Sequence, residues 1–235
     1  MYPRQQKRWH VYPTAEDFEI RVVRGILRMA REAIAVRGAF CIVLAGGKTP
    51  APIYRRLAAA RMEAEWSKWH VYWGDELCLP ADDPARNSVI ARRAWLDDSP
   101  IPAAQIHPIP AEFGPQGGAE RYAEVVAGVD EFDLTLLGLG EDGHTASLFP
   151  GRDWGADPDS AEVLAVTDAP GACAERVSLS ANRLSRSREV VFLATGFGKF
   201  SAVQRWRCGE PLPAAAITPA CGVDICLTLD AFDFA

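Results

Sequence analysis

FDLTLLGLGEDGHTASLFPG, residues 132 to 151, changes character halfway along. Leu134, Leu136, Leu137 and Leu139 make an apolar run, which Gly138 and Gly140 break before a polar segment carrying Glu141, Asp142 and His144. A short, nearly continuous apolar run bounded by glycine predicts an interior strand of a parallel sheet, covered on both faces. Open α/β sheets hold their ligands beyond the carboxyl ends of such strands, so this one is expected to deliver His144 to a crevice. A lone histidine fits a surface or structural role equally well, and its neighbours must decide.

Working outward, strands and helices alternate. Thr14 with Asp17 three positions on resembles a capping box, and Ile20, Val23, Leu27, Ala30 and Ile34 recur at helical spacing, predicting a helix over 15–37 that Gly38 ends. AFCIVL (39–44) predicts a buried strand, and Ile53, Tyr54 and Leu57 a helix after it. His70–Trp73 predicts a strand, and Ser88 onward a helix. The Pro- and Gly-dense stretch 100–118 predicts an irregular connection holding a short edge strand, IHPI, before a helix over 119–126. Strands are expected at 163–166, 176–180, 189–194 and 225–229, with a helix opened by Gly196-Phe197-Gly198-Lys199. The whole predicts one α/β domain over 1–235, an open, mainly parallel, Rossmann-like sheet with helices on both faces.

Composition bounds the function. With 49% hydrophobic and 24% charged residues the chain can bury a large core and lacks the profile of a disordered segment. A net charge of −6 argues against a general nucleic-acid binder. No run of ~20 apolar residues predicts a membrane span, and the first 20 residues lack the apolar core of a secretory signal, so a cytoplasmic protein is expected. Cys41, Cys78, Cys173, Cys208, Cys221 and Cys226 include no C-x-x-C pair and no zinc-finger spacing; they are read as reduced and structural.

Four loops at strand ends carry the chemistry. In Ala45-Gly46-Gly47-Lys48-Thr49-Pro50, glycines between a strand and a helix N-terminus let backbone N–H groups converge on an anion. A plain turn is the competing reading, and Thr49 as N-cap with Pro50 at N1 fits either. Asp75 and Glu76, in 74–80, can orient a hydroxyl, act as bases or cap the next turn. Arg86 and Asn87 stand at a helix start, where they meet either ligand or solvent. Loops 140–151 and 196–199 add His144 and Lys199. On one edge of a parallel sheet, lysines and backbone N–H groups for phosphate, carboxylates for hydroxyls and a histidine for proton transfer suit a sugar phosphate.

LAGGKTPAPIYRRLA, WGDELCLPADDPARNS, FDLTLLGLGEDGHTASLFPG, RVSLS and VVFLATGFGKF, in this order, resemble the 6-phosphogluconolactonase family over about residues 10 to 230. The resemblance implies the fold of sugar-phosphate isomerases and deaminases. It implies hydrolysis of 6-phosphoglucono-lactone in the oxidative pentose phosphate pathway, with neither metal nor cofactor, by a monomer or weak homodimer whose partner is the small lactone. By the same resemblance His144 is the general base, and Asp142, beside Gly143, either orients it or caps the loop. Gly46, Gly47, Lys48, Thr49 and Lys199 surround the phosphate, and Asp75, Asn87 and Arg176 line the sugar side or support the loops. One position departs: Leu77 stands where the family usually carries arginine, with Lys48 and Arg86 as possible compensations, which keeps a non-catalytic sugar-phosphate binder in play. A glucosamine-6-phosphate deaminase fits less well, because Asp142 to Phe149 lacks the later carboxylate that ring opening requires.

Overall fold

The computed structural model describes residues 5–233. The chain opens with strand β1 (Lys7–Tyr12), helix α1 (Ala15–Arg37), β2 (Phe40–Leu44), α2 (Pro50–Ala59), β3 (Trp69–Trp73), β4 (Asp75–Leu77), α3 (Asn87–Ala94) and α4 (Gly114–Val126). It continues through β5 (Phe132–Gly138), β6 (Val163–Val166), β7 (Arg176–Leu179), α5 (Ala181–Ser185), β8 (Ser187–Ala194), α6 (Phe200–Arg207), β9 (Val223–Thr228) and α7 (Leu229–Phe232). Six strands form one sheet in the order β1-β9-β8-β5-β2-β3, every pair parallel.

β5 is interior, as its leucines require. Phe132, Leu134, Leu136 and Leu137 are all buried, between β2 on one side and β8 on the other. Its polar residues are satisfied inside the fold: Asp133 accepts from the Arg37 guanidinium at 2.9 Å and from the Cys41 amide at 2.8 Å, and Thr135 meets the Ser187 hydroxyl at 2.8 Å. The chain runs from β2 out to the edge strand β3, then returns on the other side of β2 as β5. That reversal makes the gap between β2 and β5 the topological switch point, where a crevice opens at the carboxyl edge.

Helix α1 spans the predicted residues. The Thr14 hydroxyl accepts from the Asp17 amide at 3.0 Å, and Gly38, with φ 80°, closes the helix with its amide donating to Ile34. Thr49, in contrast, does not cap α2 through its side chain; its hydroxyl lies 3.0 Å from that of Thr195 and ties two sheet-edge loops together.

Three expectations are corrected. IHPI is no edge strand: one bridge joins Ile106 to Val71, and prolines at 108 and 110 remove the donors a ladder needs. The strands at 163–166 and 176–180 lie outside the main sheet, in a small antiparallel sheet of order β4-β7-β6. Asp75 and Glu76, expected in a loop after β3, therefore lie in a strand of this second sheet.

Candidate active site

Between the loops after β2 and β5 lies a cavity of about 680 Å³. Of the residues singled out in the sequence, Gly46, Gly47, Lys48, Thr49, Asp75, Asn87, Asp142, His144, Arg176 and Lys199 line it, as does Leu77.

His144 is held by its own loop. The Gly140 amide donates to the His144 carbonyl at 2.8 Å, and the Thr145 hydroxyl donates to the Gly138 carbonyl at 2.8 Å, closing the turn at the end of β5. The Asp142 carboxylate accepts from the His144 amide at 3.0 Å and lies 2.6 Å from Nδ1 of the same residue. That contact keeps the ring proton on Nδ1 and leaves Nε2, which has no hydrogen-bond partner among the described residues, basic. Partial burial alone would raise the Asp142 carboxyl; the His144 amide and imidazole outweigh it and hold it below the ordinary carboxylate range. The ring leans on Phe149 with centroids 4.8 Å apart.

Two glycines make these approaches possible. A Cβ on Gly140 would stand 2.1 Å from His144 Nδ1, and one on Gly46 would stand 1.9 Å from Asn87 Oδ1. Both distances are far inside van der Waals contact, so the two positions exclude any side chain while His144 and Asn87 stay in place.

Asp75 is buried and fully engaged: Ser147 donates to one carboxylate oxygen at 2.7 Å, and the Asn87 amide group donates to the other at 3.1 Å. Burial pushes its pKa up, Ser147 draws it back, and the adjoining Glu76 adds to the rise. Glu76 has the capping role. Its carboxylate accepts from the amides of Asn87 at 2.7 Å and Ser88 at 2.9 Å, at the N-terminus of α3 where a negative charge is favoured.

Arg86 is a correction. It lies behind the cavity wall, 2% exposed, donating to Glu112 at 2.8 Å and to the Ile109 carbonyl at 2.6 Å, with Glu76 3.4 Å from its Nε. Standing just before α3, it is drawn inward by the buried Glu76 and cannot meet a ligand. Gly143 also lies off the cavity: its φ of 90° makes the turn, and Leu212 packs against it. Neither Lys48 nor Lys199 pairs with a carboxylate among the described residues, so both offer charge to an anion. Arg176 donates to the carbonyls of Cys173 at 3.1 Å and Pro170 at 3.2 Å while lining the cavity.

Sequence reasoning passed over three contributors. Ser147 and Phe149 lie inside the motif but carry no signal beyond it. Arg205, on α6, donates to the Asp142 carbonyl at 3.3 Å and is paired with Glu210, so it braces the Asp142 turn from outside. Among the described residues no group of three or more His, Cys, Asp or Glu is arranged to hold a metal ion.

Residues 13–226 match the family model described as glucosamine-6-phosphate isomerases/6-phosphogluconolactonase. The chain is 42% identical over 181 residues to a 6-phosphogluconolactonase of Synechocystis, covering 73% of each protein. The crystal structure of a 6-phosphogluconolactonase from Thermotoga maritima superposes with a TM-score of 0.86 at 25% identity, over 95% of this chain and all 100% of that one. A monomeric glucosamine-6-phosphate deaminase, 18% identical, shares the fold with a TM-score of 0.82 over 96% of this chain and 98% of its own.

Proposed function

This chain belongs to the glucosamine-6-phosphate isomerase/6-phosphogluconolactonase family, and from that premise we propose that it hydrolyses 6-phospho-D-glucono-1,5-lactone to 6-phospho-D-gluconate with His144 as general base. The observation that carries the reading is the Asp142–His144 pair, 2.6 Å apart, facing a cavity edged by Lys48, Lys199 and Arg176. The lactonase relatives support it.

Nε2 of His144 takes a proton from a water attacking the lactone carbonyl. The resulting imidazolium is stabilised by Asp142 and returns the proton to the ring oxygen as the carbon–oxygen bond breaks, giving an alcohol and a carboxylate. Lys48, Lys199 and the backbone of Gly46 and Gly47 take the phosphate. The Asp75–Asn87 pair serves the hydroxyl side, fixed by Ser147.

The test is a lactonase assay on freshly generated 6-phosphogluconolactone, followed above its spontaneous hydrolysis. His144→Ala is expected to lower kcat by about 10² to 10⁴; turnover unchanged by that substitution removes the proposed base. The second reading, a sugar-phosphate binder without catalysis, draws on Leu77 at the cavity wall, and tight binding of 6-phosphogluconate without wild-type turnover would establish it.

A further inference from the structure

The β6–β7 hairpin loop, residues 167–175, lies against the end of β4, and two cysteines meet there. The β4–β7 ladder pairs Leu77 with Arg176 and continues through the Cys78 amide, which donates to the Glu175 carbonyl at 3.0 Å. The Cys173 thiol donates to that same carbonyl oxygen at 3.1 Å. Sharing one acceptor, the Cys173 sulfur lies no farther than about 6 Å from the Cys78 backbone nitrogen, so the two residues are neighbours, and an S–S bond between them takes both rotation of the side chains and a shift of the loop. Both thiols are free and half-buried.

We propose that Cys78 and Cys173 form a reversible intramolecular disulfide by exchange with a small-molecule disulfide, cross-linking the 167–175 loop to β4 at the cavity wall. The Cys173 thiolate attacks one sulfur of the reagent, forming a mixed disulfide and releasing one thiol. Cys78 then loses its proton to solvent and attacks the Cys173 sulfur, expelling the second thiol. Two protein thiols are oxidised while one reagent disulfide is reduced to two thiols. The order follows from the surroundings: burial pushes the Cys78 thiol up to about 11, with Cys173 adding to the rise, so Cys78 is the slow, resolving partner and Cys173, on the loop, the first to react.

The cross-link reaches the substrate cavity, and this consequence rests on the lactonase reading. To bond Cys78, the Cys173 sulfur leaves the Glu175 carbonyl, and the Cys173 backbone carbonyl that Arg176 holds moves with it. Arg176, Pro170 and Leu77 all line the cavity, so the oxidised protein binds its anionic substrate less well.

The experiment starts from full-length protein carrying Cys208→Ser and Cys221→Ser, which removes the two exposed thiols. Reduced protein is incubated with oxidised glutathione, digested without reductant and mapped by mass spectrometry. A Cys78–Cys173 peptide pair is expected, with KM for the lactone raised about threefold or more and restored by dithiothreitol. Adding Cys173→Ser or Cys78→Ser removes both effects. A glutathione adduct that persists on Cys173 beside a free Cys78, or a mapped cross-link with unchanged KM, overturns the proposal. A cross-link forming in protein whose reduced form never hydrolyses lactone overturns the lactonase reading instead.

Discussion

Gly140 and Gly46 show how much of this site depends on atoms that are absent. Gly140→Ala forces its methyl carbon into the His144 ring, 2.1 Å from Nδ1, so the ring must turn away from Asp142. We expect kcat to fall by about 10² with KM nearly unchanged, while the melting temperature moves little; a kcat within twofold of wild type would show that His144 tolerates the displacement. Gly46→Ala strikes Asn87 instead, and its loss should appear in KM, because Asn87 holds Asp75 at the cavity wall. Leu77 invites the reverse experiment. Of the two compensations its departure suggested, Arg86 is buried behind the wall and only Lys48 faces the cavity. Leu77→Arg adds a cation beside an anionic substrate and is expected to lower KM; an unchanged or raised KM would mean that Lys48 and Arg176 already serve that end. At this scale the sequence brought His144, Asp142 and the glycine loop to one sheet edge, and all three line the cavity there. It was silent about direction: Arg86 and Asn87 are adjacent, yet one points into the protein and the other into the cavity, because the buried Glu76 carboxylate claims the first.

Elements were legible where periodicity was strong, as in α1, or where a strand is covered on both faces, as in β5, and illegible where the pattern was weak. β1 escaped notice because KRWHVY is a half-exposed edge strand with charged residues at its start, and only pairing with β9 makes it regular. The antiparallel sheet β4-β7-β6 escaped because three or four residues cannot signal which sheet they join. Helix α4 starts at Gly114, inside a stretch whose Gly and Pro content reads as loop. The element most exposed to a single change is α3. Its first amides are satisfied by Glu76, which also lies beside the buried Arg86, so Glu76→Ala strands a helix end and removes one of the two carboxylates around a buried guanidinium. We expect a loss of about 3 to 5 kcal/mol in urea denaturation with an unchanged m-value. A loss below about 1 kcal/mol, the range of an ordinary surface change, would assign the capping elsewhere.

Across the whole molecule, the sheet closes where Asp224 on β9 receives both Arg8 at 2.9 Å and His10 at 2.6 Å from β1. Burial alone would raise that carboxyl, but the hydrogen bonds from Arg8 and His10 depress it below its ordinary 3.8. A depressed carboxyl contributes stability that is present above 3.8 and disappears as pH falls through the lower folded value. Asp224→Asn should therefore cost about 1 to 2 kcal/mol at neutral pH, discounted because Arg8 is partly exposed. The two proteins should converge at pH values below 3.8; a constant difference down to pH 2 would place the effect outside this titration. The position of β9, between β1 and β8, also sets a schedule. On the ribosome β9 emerges some two hundred residues after β1, so β1 must wait while β9, its neighbour in the sheet, is still unmade. Until then β8 and β1 both present open hydrogen-bonding edges. A nascent chain stalled before Val223 is therefore a sticky species, and one for which a chaperone, rather than the native fold, supplies the cover.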